Sequence, residues 1–312
     1  MTTPQPPATV ELEPAINRDL KVDLKILTAF GLIVLLGGGV SVAVRFTYTE
    51  IPPFWGAFMR FFAAAVIFWI LVLLRKVAVP RGKPLLGAAL YGVLAVGAPN
   101  ILNSWSLVET PASVFQTVAA LVPLITLIFA ALQGLEKISW RGILGGVLAV
   151  GGILVIFNGS MAAGVALSIP RLLAILFGTF FIAEAGVVAK IFQDTPPIAT
   201  IAIAMSVGSL MLLVTSLLAG EQRVLPTSKG VWLAMGYLVL GVSVGLFMLY
   251  LYVLGHWTAS GTSYAFVLFP IVTVLLATQL AGERISLAFL AGGLLVLGGV
   301  WFGALMPTKK KR

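Results

Sequence analysis

The chain has 312 residues, 60% of them apolar and 10% charged, with a mean hydropathy of +1.08 and a formal net charge of +9. This composition lies outside the range of soluble globular domains, and the spacing of the apolar runs leaves no room for a separate soluble catalytic domain. Cysteine is absent, which excludes disulfides, thiol catalysis and thiolate metal sites.

Residues 1–25 are rich in Pro, Thr and Glu and contain no apolar core of a cleavable signal, so they are expected to form a disordered cytoplasmic tail. Ten apolar runs follow, at about 26–46, 53–74, 84–106, 111–132, 140–158, 171–192, 197–219, 230–253, 259–280 and 286–306. Each approaches the roughly 20 residues that a helix needs to cross about 30 Å of hydrocarbon. Gly and Pro inside long apolar runs suit bundled helices, and the alternation of a membrane barrel is missing. An all-α integral membrane protein of ten transmembrane helices is expected. With the N-terminus inside, fourteen of the 20 Lys and Arg fall on the cytoplasmic side, among them Arg75, Lys76, Arg81, Lys83 and the cluster Lys309–Arg312 in the basic tail 307–312. Six fall toward the other side, and the asymmetry places both termini in the cytoplasm. The positive charge therefore reports membrane orientation, and no nucleic-acid partner is expected.

The chain is also a duplication. Glu136-Lys137-Ile138-Ser139, then Gly145-Gly146 and Gly151-Gly152, return 147 positions later as Glu283-Arg284-Ile285-Ser286, Gly292-Gly293 and Gly298-Gly299. The repeats are 26–158 and 171–306. Each holds five spans, an odd number, so equivalent helices must cross in opposite directions as an inverted repeat. The turns at Pro52-Pro53 and Pro196-Pro197 agree at an offset of 144.

In chain order, Gly37, Gly38 and Gly39 break the first run and serve either as a hinge or as a packing surface. Arg60, about eight residues into the second run, can snorkel outward or hold a substrate carboxylate in a central cavity. Asn100 and Asn103 share one helical face beside Pro99 and can line a cavity or bind another helix. Gln116 and Tyr264 occupy nearly equivalent repeat positions and are candidates for a polar midplane site. Pro123 and Pro270 are matched kink points. Ser139 and Ser286 are read as helix N-caps. The glycines seven apart in the last span of each half are packing positions, within a subunit or between two. Glu184 is the one carboxylate well inside an apolar run, where it can exchange a proton, meet a substrate ammonium or hydrogen-bond another helix. His256, the single histidine, is expected in a solvated loop with no catalytic or metal-binding neighbours, and no cofactor is expected.

Pro52-Pro53 followed by Arg60-Phe61, the Pro123 and Pro270 helices, and Gly282-Glu283-Arg284-Ile285-Ser286 with its first-half echo together resemble the drug/metabolite transporter superfamily, in its EamA-type branch. The resemblance covers about 30–306 and implies a ten-helix transporter with a central cavity lined by both repeats, commonly exporting amino acids or other small metabolites. The chain carries glycines and Phe180-Phe181 where members often place tryptophans. The expected function is secondary transport of a small organic solute across the cytoplasmic membrane, driven by protons or by the solute's own gradient. Uptake, multidrug cation efflux, a scaffold and an intramembrane enzyme are the alternatives, and a homodimer is compatible with the pattern.

Overall fold

The computed structural model describes residues 24–135, 140–162, 167–192, 195–280, 282 and 285–302. The expected features at 1–23, Glu136–Ser139, Glu283–Arg284 and Lys309–Arg312 lie outside these residues. Ten helical rods follow one another: α1 (Leu24–Thr47), α2 (Pro53–Leu74), α3 (Lys83–Leu107), α4 (Ala112–Leu132), α5 (Trp140–Ala162), α6 (Ile169–Ile191), α7 (Pro197–Leu218), α8 (Lys229–His256), α9 (Ala259–Leu280) and α10 (Leu287–Val300). Eight are long and apolar enough to cross a membrane by themselves, while the apolar stretches of α5 and α10 are shorter. Below, the near face is the one on which α1 begins and the far face the one on which it ends.

Helix ends follow from local chemistry. Proline opens α2 and α7 at the first helical positions, where its missing N–H costs nothing. Ser286 caps α10 as expected, its Oγ accepting from Phe289 N at 3.0 Å. Both α2 and α7 end in the left-handed region, at Lys76 (φ 50°) and Gly220 (φ 66°), positions related by the same offset of 144. In each case two backbone bonds close the turn: Lys76 and Val77 donate to Leu73 and Val72, and Gly220 and Glu221 to Leu217 and Ser216.

The inverted repeat is visible in the packing. Helix α5 lies antiparallel to α10 through glycines that admit the partner's backbone. A Cβ on Gly152 would stand 2.5 Å from the Gly292 carbonyl oxygen, and one on Gly299 would stand 2.5 Å from that of Gly145. The 147-residue offset carries the first pair into the second, so the pseudo-two-fold axis passes between these helices. These glycines thus pack within the chain. Helices α2 and α7 pair similarly, with Trp69 Nε1 donating to Ser206 Oγ at 2.9 Å.

Other helices depart from ideal geometry where the sequence foreshadowed it. Helix α1 is interrupted at Gly39, and Gly37 and Gly38 give room to Phe269 and Val272 of α9. Thr273 Oγ1 donates to the Gly38 carbonyl at 2.5 Å. Pro123 and Pro270 do not act alike: Pro123 opens the second segment of α4, whereas Pro270 sits inside a continuous stretch of α9, whose interruption comes earlier, at Tyr264. Helices α3 and α8 both widen into π-helix, at Val93–Gly97 and Tyr237–Leu246, in matching parts of the two repeats. His256 is an exposed residue in the last turn of α8, its Nδ1 2.8 Å from the Tyr252 carbonyl, and so belongs to a helix end where a loop was expected.

Candidate functional site

A chamber runs between the two repeats, from the level of Gly37, Tyr91, Gly186 and Phe266 up to Thr47, Tyr48 and Pro53 at the far ends of α1 and α2. Its empty volume is about 1220 Å³, solvent at its mouth included. On the near side a packed layer containing Ile26, Ala29, Ile33, Val187, Val253 and Leu254 closes it. Lys190 reinforces that closure, donating to the Leu254 and Trp257 carbonyls at the end of α8 at 3.0 and 3.1 Å.

Four sequence candidates meet in this chamber: Arg60, Asn100, Asn103 and Gln116. Arg60 is 5% exposed and does not snorkel. Its Nε donates to Ser243 Oγ in the π-helical part of α8 at 2.8 Å, and its guanidinium lies 4.5 Å from the Phe61 ring centroid. Among the described residues no carboxylate pairs with it. Asn100 Nδ2 donates to the Val96 carbonyl one turn earlier at 2.8 Å. Asn103 keeps a buried Oδ1 without a partner. Gln116 is 3% exposed, and its carboxamide has no protein partner among the described residues. Unpaired polar groups at this depth are costly unless a ligand or water meets them.

Two candidates lie elsewhere. Glu184 is half-buried on α6 and accepts from Gln133 Nε2 at 2.7 Å, at the near end of α4; the adjacent Ala185 and Gly186 reach the chamber wall, but Glu184 does not. Tyr264 occupies the interruption of α9 and is also absent from the wall. Gly37 lines the chamber; Gly38 and Gly39 pack against Val272 and Tyr237, and Pro123 and Pro270 are buried in α4 and α9, all four outside the lining.

Two segments, residues 24–158 and 170–304, match the EamA-like transporter family. The chain belongs to this family. It is 32% identical over 285 residues to the uncharacterized inner membrane transporter YedA of Escherichia coli K12, covering 89% of this chain and 90% of that protein. It is 28% identical over 277 residues to the uncharacterized transporter YyaM of Bacillus subtilis 168, covering 86% and 90%. A solved crystal structure superposes with a TM-score of 0.64 over 90% of this chain and 98% of its own, at 20% identity, which speaks for the fold alone. This EamA-like chain is thus a multi-pass membrane transporter.

Sequence reasoning missed several residues that line or support the EamA-like chamber. Ser243, 0% exposed and the partner of Arg60, was detectable as a hydroxyl in an apolar, glycine-spaced run. Tyr48, whose hydroxyl donates to the Ser104 carbonyl at 3.3 Å, and Tyr91, Tyr250, Phe247, Phe266 and Phe269 gave no signal beyond being aromatic. Two acids at the far face were also missed. Glu221 bonds Phe54 N at 3.1 Å and Trp55 N at 2.7 Å, the free donors at the start of α2, and receives Ser216 Oγ at 2.8 Å. Glu50 answers from the other repeat, accepting from Thr227 N and Ser228 N at the start of α8 at 2.6 and 3.1 Å. Hydrogen bonds from Ser228 and Thr227 hold the Glu50 carboxyl at about 2.

Proposed function

We propose that the protein is a secondary transporter that moves small organic solutes, amino acids or related metabolites, out of the cell across a bacterial cytoplasmic membrane, with both termini cytoplasmic. The observation that carries this reading is a buried guanidinium with no counter-ion among the described residues, in a chamber bounded by both repeats. A fixed charge at that depth is retained where a solute can meet it. Alternating access would rock the repeats around this site, opening the near face by separating Lys190 from the end of α8 and closing the far face over Arg60. With the N-terminus inside, the chamber described above faces outward. Coupling to protons is assigned to Glu184, which adjoins the wall through Ala185 and Gly186.

Counterflow by the purified protein in liposomes tests the reading. Saturable uptake of a labelled solute, abolished in Arg60→Gln, is the expected result. Uptake equal to that of empty liposomes for amino acids, organic acids and amines alike would remove the transporter reading. Retained counterflow in Arg60→Gln would move the binding site elsewhere.

A further inference from the structure

The two walls of the chamber differ in kind. Every fixed polar group apart from the Tyr250 hydroxyl comes from the first repeat: Arg60, Asn100, Asn103, Ser104, Gln116 and the hydroxyls of Thr47, Tyr48 and Tyr91. The second repeat supplies Ile182, Met235, Leu238, Phe247, Phe266 and Phe269 among others, with the Phe266 and Phe269 rings 4.8 Å apart. Among the described residues, Arg60 is the only charged one on either wall.

We infer that the chamber selects an amphiphilic monocarboxylate, its carboxylate held by Arg60 and its aromatic or branched body laid against the second repeat; the inference rests on the transporter reading above. Arg60 has five N–H donors and spends one, on Ser243. The two terminal NH2 groups have no protein partner among the described residues, and together they offer the planar fork that a carboxylate accepts in bidentate fashion. One negative charge neutralises the site. A dianion would leave a charge uncompensated in a low-dielectric space, and a cation would meet a like charge there. An amino acid's ammonium would find no carboxylate on the lining among the described residues, only neutral polar groups such as the Gln116 carboxamide, so its desolvation is less well compensated than that of a neutral substituent. The apolar body gains by leaving water against the phenylalanines. The chamber's empty volume of about 1220 Å³, solvent at its mouth included, leaves room for a ring beside the carboxylate.

The test measures calorimetric binding of five probes to the full-length protein in detergent: 3-phenylpropionate, its amide, 3-phenylpropylamine, phenylalanine and succinate. The acid is expected to bind roughly 10- to 100-fold more tightly than the amide, the difference made by charged hydrogen bonds. It should also exceed the amine and succinate and at least equal phenylalanine. Arg60→Gln should erase the preference for acid over amide, and Arg60→Lys should keep it in part. A tighter amine or phenylalanine, equal acid and amide, or no acid binding at about 10 mM, weaker than any useful carrier site, would each overturn the inference. The ranking within the wild-type protein stands even where a variant fails to fold. Counterflow of labelled acid separates the two levels: flux of other solutes with the wrong ranking overturns the monocarboxylate and keeps the carrier, whereas correct ranking without flux of any solute keeps the site and overturns the carrier.

Discussion

The two repeats agree in backbone and disagree in side chains. Lys76 and Gly220 end α2 and α7 with the same left-handed turn, the glycines of α5 and α10 interlock under the same offset, and α3 and α8 widen into π-helix at equivalent places. The chamber walls built on these frames have diverged: the first repeat carries the cation and nearly all the polar groups among apolar residues such as Phe61 and Phe115, and the second is almost wholly apolar. Duplicated backbone devices suit a protein whose halves exchange roles during rocking, since each half must pass through the geometry of the other. A solute with two unlike ends requires the opposite, an asymmetric lining. On the mechanism proposed above, the repeated frame would serve the motion and the unequal lining the recognition.

Four perturbations can break or sharpen that comparison. The largest effect is expected from the walls. Substituting Arg60 by Gln should lower counterflow at least tenfold, whereas Phe269→Leu on the opposite wall should change it only a few-fold and shift preference toward smaller apolar bodies, as pockets discriminate by roughly 1–3 kcal/mol per methylene-sized change. Initial rates across a chain-length series would read this.

The shared frame comes next. Gly152→Ala or Gly292→Ala places a Cβ about 2.5 Å from a backbone carbonyl that cannot move by rotamer change, so each should destabilise the protein by about 1–3 kcal/mol in detergent thermal unfolding. Gly146→Ala, which meets nothing within 4 Å, should be close to neutral. Equal effects at both places would remove the interlock as a source of stability. At the matched turns, Lys76→Gly should stabilise by about 0.5–1 kcal/mol by relieving a strained φ, and Gly220→Lys should cost about as much.

The far-face acids give the third contrast. Glu221→Gln removes a carboxylate from two free helix donors and Ser216, with an expected cost of about 1–2 kcal/mol in unfolding experiments. For Glu50 the effect is a pH dependence. Its folded value of about 2 lies below the ordinary 4.5, so its contribution is present above 4.5 and is lost as pH falls toward 2. Glu50→Gln should therefore lower stability near neutrality, leave it little changed near pH 2, and flatten the unfolding profile between 4.5 and 2.

The smallest effect is expected at Glu184. Glu184→Gln keeps a hydrogen-bonding partner for Gln133 and lies off the wall, so solute affinity should change less than about twofold. Its counterflow should lose its response to an imposed pH gradient. A retained response would place proton coupling elsewhere.

How legible all this was depends on what membrane helices display. Run length located the first nine helices to within a few residues and the start of the tenth, because the hydrocarbon thickness fixes the number of apolar residues a helix must carry. The duplication and the odd number of spans per repeat then determined inversion, by counting alone. Arg60, Asn103 and Gln116 were legible because a polar residue is conspicuous in an apolar run. What the sequence could not decide was direction. A lipid-embedded helix is apolar on every side, so no amphipathic stripe tells which residues face inward. Arg60 turns to Ser243 and the chamber, and Glu184, equally conspicuous, turns to Gln133 and away from it. Only the packing of ten helices chose between them, because that choice is set by which neighbours lie within reach of each side chain and not by the residue's own chemistry.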